Sequence, residues 1–317
     1  MKKNDTALRL TKRFFEDLRE FSPGVAFGRL IRDIPLLSWD RRRSFYERQI
    51  LRYLDRRYGG IIEQCASTAP VLSQHSESTE KRIWVMWWQG EGNMPPIVRA
   101  CWDRLKKVAP CEPVLLTEET IPEWITLPEY ILNKHRMGCI TTTHLSDIVR
   151  ALLLKKYGGL WMDATIWADH IPENIWLEEL YTLHAPGMFP EFISRGDWSP
   201  FLLYSRMPNH KLLNALYGVF TAYWSEHMCL IDYLFVDFTI RLIIDHCQDI
   251  KRAIDSLQIN NAYYELNLAI NEPYSLIKTE EMLSCSALQK LTYKKQLNEI
   301  TDDGKLTNYG FLLQRDN

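Results

Sequence analysis

The sequence lacks the features that mark secreted, zinc-bound or membrane-spanning chains. Its seven cysteines are scattered, and no two of them form a Cys-x-x-Cys pair. This pattern argues against a zinc site and a disulfide framework, and it predicts a reducing, cytoplasmic environment. No apolar run approaches the roughly 20 residues that span a bilayer, and the N-terminus does not have the apolar core of a signal peptide. Without repeats or low-complexity tracts, the chain is expected to be an ordinary globular protein.

The composition favours one large core with an appendage. The 317 residues are 46% hydrophobic and 25% charged, which excludes a disordered chain and a fibre. Charge is uneven, because residues 1–57 hold 15 Lys/Arg and 8 Asp/Glu, net +7, whereas the other 260 residues hold 23 and 32, net −9. The two parts sum to the formal net charge of −2. The basic part is therefore an N-terminal arm.

The arm is predicted to be helical. Apolar side chains recur among its arginines at helical spacing: Phe14, Phe15, Leu18, Phe21, Phe45, Tyr46, Ile50, Leu51 and Leu54. Such helices suit a surface that meets anionic lipid headgroups, or a helical cap docked on the rest of the protein with solvated arginines. Nucleic acid is not expected as a partner, since no recognised binding motif accompanies the charge. Residues 67–80 are rich in Ser and Thr and predict a linker.

A helix is predicted over residues 143–156. Its apolar side chains recur at three- and four-residue spacing, so that one face packs inward, and Thr142 or Thr143 could cap it. Asp147 and Arg150 are three positions apart and therefore neighbours on this helix. The apolar positions are Leu145, Ile148, Val149, Leu152 and Leu153.

A turn and a buried strand follow this helix. Gly158 and Gly159 stop it, because glycine supplies the left-handed backbone that a helix end needs. The run 160–163 is short, apolar and aromatic, as expected of a buried strand, and it ends in Asp163. Asp163 and Thr165 then present a carboxylate and a hydroxyl, which are oxygen donors suited to Mg²⁺ or Mn²⁺. A lone Asp-x-Thr is more often a turn, but here it follows the helix acid Asp147 by 16 residues.

The motif Ser-Asp-x-x-Arg, followed by Tyr-Gly-Gly-x-Trp-x-Asp, resembles the sugar-nucleotide site of GT-A glycosyltransferases. More narrowly, it resembles the capsular polysaccharide synthesis proteins and glycosyltransferase family 32, with the large clostridial glucosylating toxins as more distant kin. The resemblance is strongest over residues 81–168. It implies an α/β fold: a GT-A-type (Rossmann-like) nucleotide-sugar-binding domain with a mixed central sheet, a helical N-terminal arm and helical C-terminal additions.

The resemblance also implies roles for the motif residues. Asp147 is similar to the acid that hydrogen-bonds donor sugar and ribose hydroxyls, and Arg150 matches the arginine that reaches the donor sugar. Asp163 aligns with the first acid of the Asp-x-Asp motif, which binds Mn²⁺ and the UDP diphosphate. Thr165 replaces the second acid, which leaves the metal with one fewer negative charge.

A second strand is predicted at residues 81–90, with a helix near 97–107. The resemblance places a tryptophan of this strand on uracil, and Trp87 lies nearest that position. Stacking on a base is worth ~1–3 kcal/mol and discriminates little between bases. Trp84 and Trp88 are interpreted as core residues, because alternate side chains of a buried strand face opposite layers.

Strands are predicted in the later part of the chain at 180–184 and 200–205, and helices at 209–224 and 231–246. The two helices are expected to form a lid over an acceptor. The resemblance makes Asp232 and Asp237 candidate acceptor-binding or catalytic acids, although a helical acid is often simply solvated. It also implies a lysine-bearing C-terminal element that folds over the diphosphate and neutralises the leaving group, for which Lys294 is preferred among three lysines.

These interpretations divide the chain into an arm with its linker over 1–78 and a catalytic domain over 79–317. The domain comprises a nucleotide-sugar half at 79–170 and an acceptor or lid half at 171–317. The expected activity is metal-dependent and retaining transfer of a sugar from a UDP-sugar to a surface glycan or lipid-linked glycan, at the inner face of the plasma membrane if the arm binds lipid. Two alternatives remain open: a metal-dependent phosphoesterase, and a nucleotide-sugar-binding module without turnover.

Overall fold

A computed structural model describes residues 2–35, 38–69 and 80–315. The side chains of residues 2–7 are not part of this description, and residues 70–79 of the predicted linker lie outside the described residues. None of the helices in these three segments has both the length and the apolar character needed to cross a bilayer.

The protein is an α/β structure in which helices outnumber strands. The helices are α1 Lys2–Glu20, α2 Pro23–Asp33, α3 Trp39–Ser67, α4 Pro96–Val108, α5 Ile121–Trp124, α6 Glu129–Arg136, α7 Thr142–Tyr157, α8 Lys211–Glu226, α9 Phe235–His246, α10 Gln248–Asp255, α11 Glu265–Leu268, α12 Leu276–Cys285 and α13 Asn308–Gln314. The strands are β1 Ile83–Met86, β2 Val114–Leu116, β3 Gly159–Met162, β4 Ile166–Ala168, β5 Leu180–Thr182, β6 Leu202–Ser205 and β7 Leu288–Lys290.

The central sheet has five strands in the order β2-β1-β3-β6-β5, with β1 parallel to β2 and β3, and β6 antiparallel to β3 and β5. It is therefore mixed, as the sequence predicts. A second, two-stranded sheet pairs β4 with β7 in antiparallel register. The predicted strands near 180 and 200 are confirmed with shorter bounds.

The alternation of side chains along β1 and β3 divides the core into two layers. Trp84 and Trp161 pack in a helical layer formed mainly by α3, α7, α8 and α9. Ile83 and Leu160 face the opposite layer, which includes α4 and Trp167. Successive strand residues point to opposite faces, so both layers are apolar where they meet the sheet. The interpretation of Trp84 as a core residue is confirmed, since its side chain is 0% exposed.

The N-terminal helices share the helical layer of the core. Tyr46, Ile50, Leu54 and Tyr58 of α3 are buried in it, and α3 contacts both α8 and α9. The described part of the arm is therefore docked on the rest of the chain, as the helical-cap alternative expects. The boundary at residue 78 remains a prediction.

The two helices predicted as a lid are core elements. Most residues of α8 and α9 are buried, including Phe220, Trp224, Phe235 and Ile243 at 0% exposure. These helices pack against α3 and α7, and the first turn of α9 also lines an opening through Val236 and Asp237. Their apolar positions surround each helix instead of forming one stripe, as expected of core helices. Their role as a lid over an acceptor stays a prediction.

Candidate functional site

Thr141 begins the helix that carries two of the predicted site residues. Its side chain accepts a hydrogen bond from the backbone N–H of His144 at 3.2 Å, which makes Thr141 the N-cap of α7. The predicted caps, Thr142 and Thr143, are wrong by one or two residues and lie within the first turn. The helix otherwise has the predicted extent to within one residue at each end. Burial is not confined to the predicted face, since Ala151 and Leu154 are buried and Leu152 is half-buried.

The turn between α7 and β3 needs both of its glycines. Gly158 and Gly159 have φ values of 67° and 94°, in the left-handed region that side chains disfavour. A Cβ on Gly158 would lie 2.8 Å from the carbonyl oxygen of Ser205, and a Cβ on Gly159 would lie 2.9 Å from that of Arg82. The chain therefore reverses within two residues and lays β3 beside α7.

Arg150 joins the two predicted carboxylates. Its Nη1 lies 3.2 Å from Asp147 Oδ1, and its Nη2 donates a hydrogen bond to Asp163 Oδ1 at 3.1 Å. The guanidinium lies 5.0 Å from the centroid of the Trp161 ring, and the side chain is only 5% exposed. Arg150 therefore holds the two acids side by side, because each of its terminal nitrogens contacts one of them.

A buried chain of hydrogen bonds holds Asp147 from the other side. The indole Nε1 of Trp224 donates to His144 Nε2 at 2.8 Å, and His144 Nδ1 lies 3.3 Å from Asp147 Oδ2. Because Nε2 accepts, a neutral imidazole carries its proton on Nδ1 and donates it to the carboxylate. Both oxygens of Asp147 are therefore oriented by neighbouring side chains.

Asp163 ends β3 in a cationic environment. Burial alone would raise the pKa of this carboxyl group, yet the charges of Lys290 and Arg150 together hold its pKa below the usual range. Oδ1 also accepts a hydrogen bond from the indole Nε1 of Trp161 at 3.0 Å. Asp163 is therefore a carboxylate at neutral pH.

Lys290, rather than the predicted Lys294, is the lysine that contacts this acid. Its Nζ donates to Asp163 Oδ2 at 2.9 Å and to Thr165 Oγ1 at 2.8 Å. Lys294 is exposed, and its Nζ lies 6.0 Å from the centroid of the Tyr293 ring. Which lysine of this segment meets Asp163 depends on how β7 pairs with β4. Lys294 also lines the opening, and its role over the diphosphate stays a prediction.

Two aromatic rings lie at the same opening. Trp87 follows β1, and its ring meets that of Tyr293 edge to face with centroids 5.5 Å apart. The Trp87 indole Nε1 donates to the backbone oxygen of Asn93 at 3.2 Å. Trp88, interpreted as a core residue, is half-buried and lines the opening as well, although it also packs on the helical core.

The two later acids differ in position. Asp237 is buried on α9, and its Oδ1 accepts a hydrogen bond from the indole Nε1 of Trp198 at 2.9 Å. Asp232 precedes α9 and does not belong to it; it accepts hydrogen bonds from the Tyr46 hydroxyl at 2.8 Å and from Leu234 N–H at 2.9 Å. Its interpretation as an acceptor-binding or catalytic acid does not fit this placement, because it ties the N-terminal helices to the core.

Nearly all of the predicted site residues line one cavity of about 700 Å³. That volume lies within the range of small-molecule sites. Asp147 and Asp163 face the same space, which is the arrangement that a shared nucleotide sugar requires. The predicted residues that line it are Trp87, Asp147, Arg150, Asp163, Thr165, Asp237 and Lys294.

A second cavity, of about 630 Å³, is lined by Asp169, Cys285 and Arg315. Its carboxylate is already paired, since Asp169 Oδ1 lies 3.2 Å from Arg104 and 3.0 Å from Arg315. Fewer charged side chains line it than line the first cavity, which therefore forms the candidate site.

The residues around Asp163 do not fit the divalent cation that the sequence predicts. Oδ1 accepts from Arg150 and Trp161, Oδ2 accepts from Lys290, and the Thr165 hydroxyl accepts from Lys290 too. A cation would have to displace an ammonium group from both candidate ligands. Across the described segments, no three or more His, Cys, Asp or Glu side chains form a group able to hold a metal ion.

Comparison with known proteins gives the family of this chain. The sequence model of the family described as capsular polysaccharide synthesis protein matches residues 38–309, which is most of the chain. The protein belongs to that family. The match begins at the start of α3 and therefore includes this helix.

Two curated relatives are fungal. The chain is 28% identical over 115 residues to the O-glycosyltransferase braB of Annulohypoxylon truncatum, covering 33% of this chain and 27% of that protein. It is 29% identical over 118 residues to the O-glycosyltransferase PaGT of Phomopsis amygdali, covering 33% and 29%. The chain thus spans less than a third of the length of each of these relatives.

A solved structure, the PaToxG glycosyltransferase, aligns with 85% of this chain and 95% of its own, at 11% sequence identity and a TM-score of 0.38.

Sequence reasoning missed three residues that shape the site. His144 has a local signal, because its three-residue separation from Asp147 predicts that the two side chains meet. Lys290 and Trp198 had no local signal, because their partners Asp163 and Asp237 lie 127 and 39 residues away along the chain.

Proposed function

We propose that this protein is a glycosyltransferase that moves a sugar from a nucleoside diphosphate sugar to a glycan acceptor. The observation that supports it best is the placement of Asp147 and Asp163 on one cavity, bridged by the buried guanidinium of Arg150. Transfer of this kind needs groups that orient a hexose beside groups that meet a diphosphate. The family assignment and the O-glycosyltransferase relatives support the same activity.

In the proposed reaction, the bond between the anomeric carbon and the diphosphate oxygen breaks, and its electron pair stays on the diphosphate. The acceptor hydroxyl forms the new bond to the anomeric carbon and gives its proton to the departing phosphate oxygen, with retention of configuration. Asp147, oriented by His144 and Arg150, accepts hydrogen bonds from donor hydroxyls. This orientation is set before the substrate binds, which lowers the entropic part of the barrier.

The proposed donor is a UDP-sugar, and the proposed fold class is GT-A. The Trp87 and Tyr293 rings offer an aromatic surface on which a base can stack. The proposed acceptor is a growing surface glycan of the capsular or lipopolysaccharide type, free or linked to a lipid. Asp237 lines the same cavity, which supports it as the acid that meets an acceptor hydroxyl.

We also propose that the N-terminal helices bring the enzyme to the inner face of an anionic membrane, in a cytoplasmic location. Phe14 meets Phe15 and Phe27 edge to face, at centroid distances of 5.7 and 5.1 Å, and the latter two are 61% and 52% exposed. Lys12 is exposed beside them on α1. Exposed aromatic rings flanked by basic groups are typical of surfaces that dip into anionic headgroups.

The activity can be tested by measuring nucleoside diphosphate release from a panel of nucleotide sugars, with and without Mn²⁺. We expect release by the wild type and a loss of about 10² or more in Asp147→Asn and Asp163→Ala, since each removes a group that holds the donor. Asp302→Asn, on the exposed surface, is the matched control and should retain activity. Far-ultraviolet circular dichroism should show that Asp147→Asn remains folded.

Other outcomes would favour the alternatives. Binding of nucleotide sugars without release, with any acceptor tried, would indicate a binding module. Cleavage of p-nitrophenyl phosphate that vanishes in Asp163→Ala would indicate a phosphoesterase. An Asp147→Asn variant that unfolds would mean that this carboxylate serves packing and not the donor.

A further inference from the structure

Lys290 is built into the site more firmly than a surface lysine. Besides its hydrogen bonds to Asp163 and Thr165, its Nζ lies 4.7 Å from the centroid of the Phe201 ring, and its side chain is only 17% exposed. A cation over an aromatic face gains additional electrostatic stabilisation. These contacts fix the position of the ammonium group.

Strand pairing sets that position. Lys290 is the register partner of Ile166 in the two-stranded sheet, and Leu291 N–H donates to the carbonyl oxygen of Thr165 at 2.9 Å. The backbone of Lys290 is also tied to Tyr263, through a hydrogen bond of 2.6 Å from Lys290 N–H to the Tyr263 carbonyl. The strand that carries the lysine is thus paired directly with the strand that follows Asp163 and Thr165.

The local charges favour an anion over a second cation. The carboxylates of Asp147 and Asp163 face the guanidinium of Arg150 and the ammonium of Lys290, so the four formal charges sum to zero. Thr165 adds an acceptor without adding charge. Arg150 and Lys290 already contact the oxygens of Asp163, so a divalent cation at this carboxylate would be repelled by both, whereas a diphosphate would be attracted by both.

We propose that the Lys290 ammonium, and not a divalent cation, binds the diphosphate of the donor. Asp163 and Thr165 hold this ammonium group in place by accepting its hydrogen bonds. An ammonium group has three N–H donors, and the oxygens of Asp163 and Thr165 take two of them. The third is directed to a phosphate oxygen of the donor and stabilises the charge that develops as the anomeric bond breaks. This inference rests on the proposed function, because it assigns the diphosphate half of that site.

The inference also explains why a hydroxyl at position 165 is compatible with this site. A second carboxylate would compete with the diphosphate for the ammonium and would supply a further ligand to a metal ion. We therefore expect Lys290→Ala/Thr165→Asp to bind Mn²⁺, and the wild type not to. Electron paramagnetic resonance of free and bound Mn²⁺ measures this difference without reference to activity.

The decisive experiment is isothermal titration of the full-length protein with UDP, GDP and CDP, in EDTA and in Mn²⁺. We expect the wild type to bind one of them with a Kd that changes by less than about twofold between the two buffers, and Lys290→Ala to bind about tenfold or more weakly. Lys290→Arg should restore part of the affinity, because the positive charge is retained. Lys278→Ala, an exposed lysine of α12, is the matched control and should bind as the wild type does.

The outcomes separate this inference from the function on which it rests. Nucleotide binding that is lost in EDTA and recovered with Mn²⁺ would overturn the role of Lys290 and leave the glycosyltransferase proposal standing. Wild-type protein that binds none of the nucleotides in either buffer would overturn both. If Lys290→Ala fails to fold, as shown by thermal unfolding, Lys290→Gln and Lys290→Arg provide the same comparison.

Discussion

At the scale of single residues, Asp237 has the most unusual acid–base environment in the site. Burial and then the nearby charge of Asp147 raise its pKa to about 7, against the smaller opposing effect of the hydrogen bond from Trp198. The proton is therefore bound more tightly in the folded state than in the unfolded state. A carboxyl group with this pKa can exchange a proton with a bound hydroxyl near neutral pH.

The first prediction concerns the stability of Asp237→Asn. Between the ordinary pKa of an aspartic acid and about 7, the folded state binds the extra proton, so the wild type loses stability as the pH rises through this range. The loss from one group is at most ~1.4 kcal/mol per pH unit. The variant lacks this titration, so its melting temperature minus that of the wild type should increase from pH 5 to pH 8. A difference that stays constant with pH would contradict the raised pKa.

At the scale of elements, the functional geometry depends on the unit formed by α7, the Gly158–Gly159 turn and β3. The turn places Asp163 back beside the helix that carries Asp147 and Arg150. Trp84 stabilises the turn by donating its indole N–H to the Gly158 carbonyl at 2.9 Å. A small change in this turn would separate the two carboxylates.

We therefore predict that Gly158→Ala destabilises the protein. The positive φ and the 2.8 Å approach of a Cβ to the Ser205 carbonyl both oppose a side chain there, and we expect a loss of about 1–3 kcal/mol. Gly60→Ala is the matched control, since Gly60 lies within α3 and an added Cβ would meet nothing within 4 Å. The control should be neutral or stabilising by up to about 1 kcal/mol. Urea unfolding measures both; equal effects would show that the turn tolerates a side chain.

At the scale of the whole molecule, the basic N-terminal segment has two surfaces. Its inner side belongs to the core through Tyr46, Ile50 and Leu54, and its outer side exposes Leu8 and Phe15 at 72% and 61%. Removal of residues 1–57 would therefore expose core as well as remove the outer face. Point substitutions on α1 separate the two roles.

We predict that the double variant Leu8→Ser/Phe15→Ser sediments less with vesicles that contain anionic lipid than the wild type does. Its thermal stability should stay close to that of the wild type. The variant loses apolar surface that would be buried among headgroups, at about 25 cal/mol per Å². Leu177→Ser, at a site 73% exposed elsewhere on the protein, is the control and should bind as the wild type does. Equal sedimentation of all three proteins, or wild-type binding to neutral vesicles only, would remove the membrane proposal.

Local rules made several features of this protein predictable. The spacing of apolar residues defined α7, the glycines defined its end, and the aromatic run defined β3, because each depends on neighbours within a few positions. The same locality brought Asp147 and Arg150 together on one helix face. That Asp147 and Asp163 belong to one site is implied by the resemblance to GT-A glycosyltransferases and not by these local rules, and both residues line one cavity.

The sequence by itself determined the helix–turn–strand unit and the identity of the acids on it, since these follow from backbone preference and short-range spacing. Only the tertiary structure decided which lysine meets Asp163, that Trp224 and His144 orient Asp147, and that Asp232 faces the N-terminal helices. The contacts Trp224–His144, Lys290–Asp163 and Tyr46–Asp232 join side chains 80, 127 and 186 residues apart. Such pairs form because strands and helices pack in one particular arrangement, which no local pattern encodes.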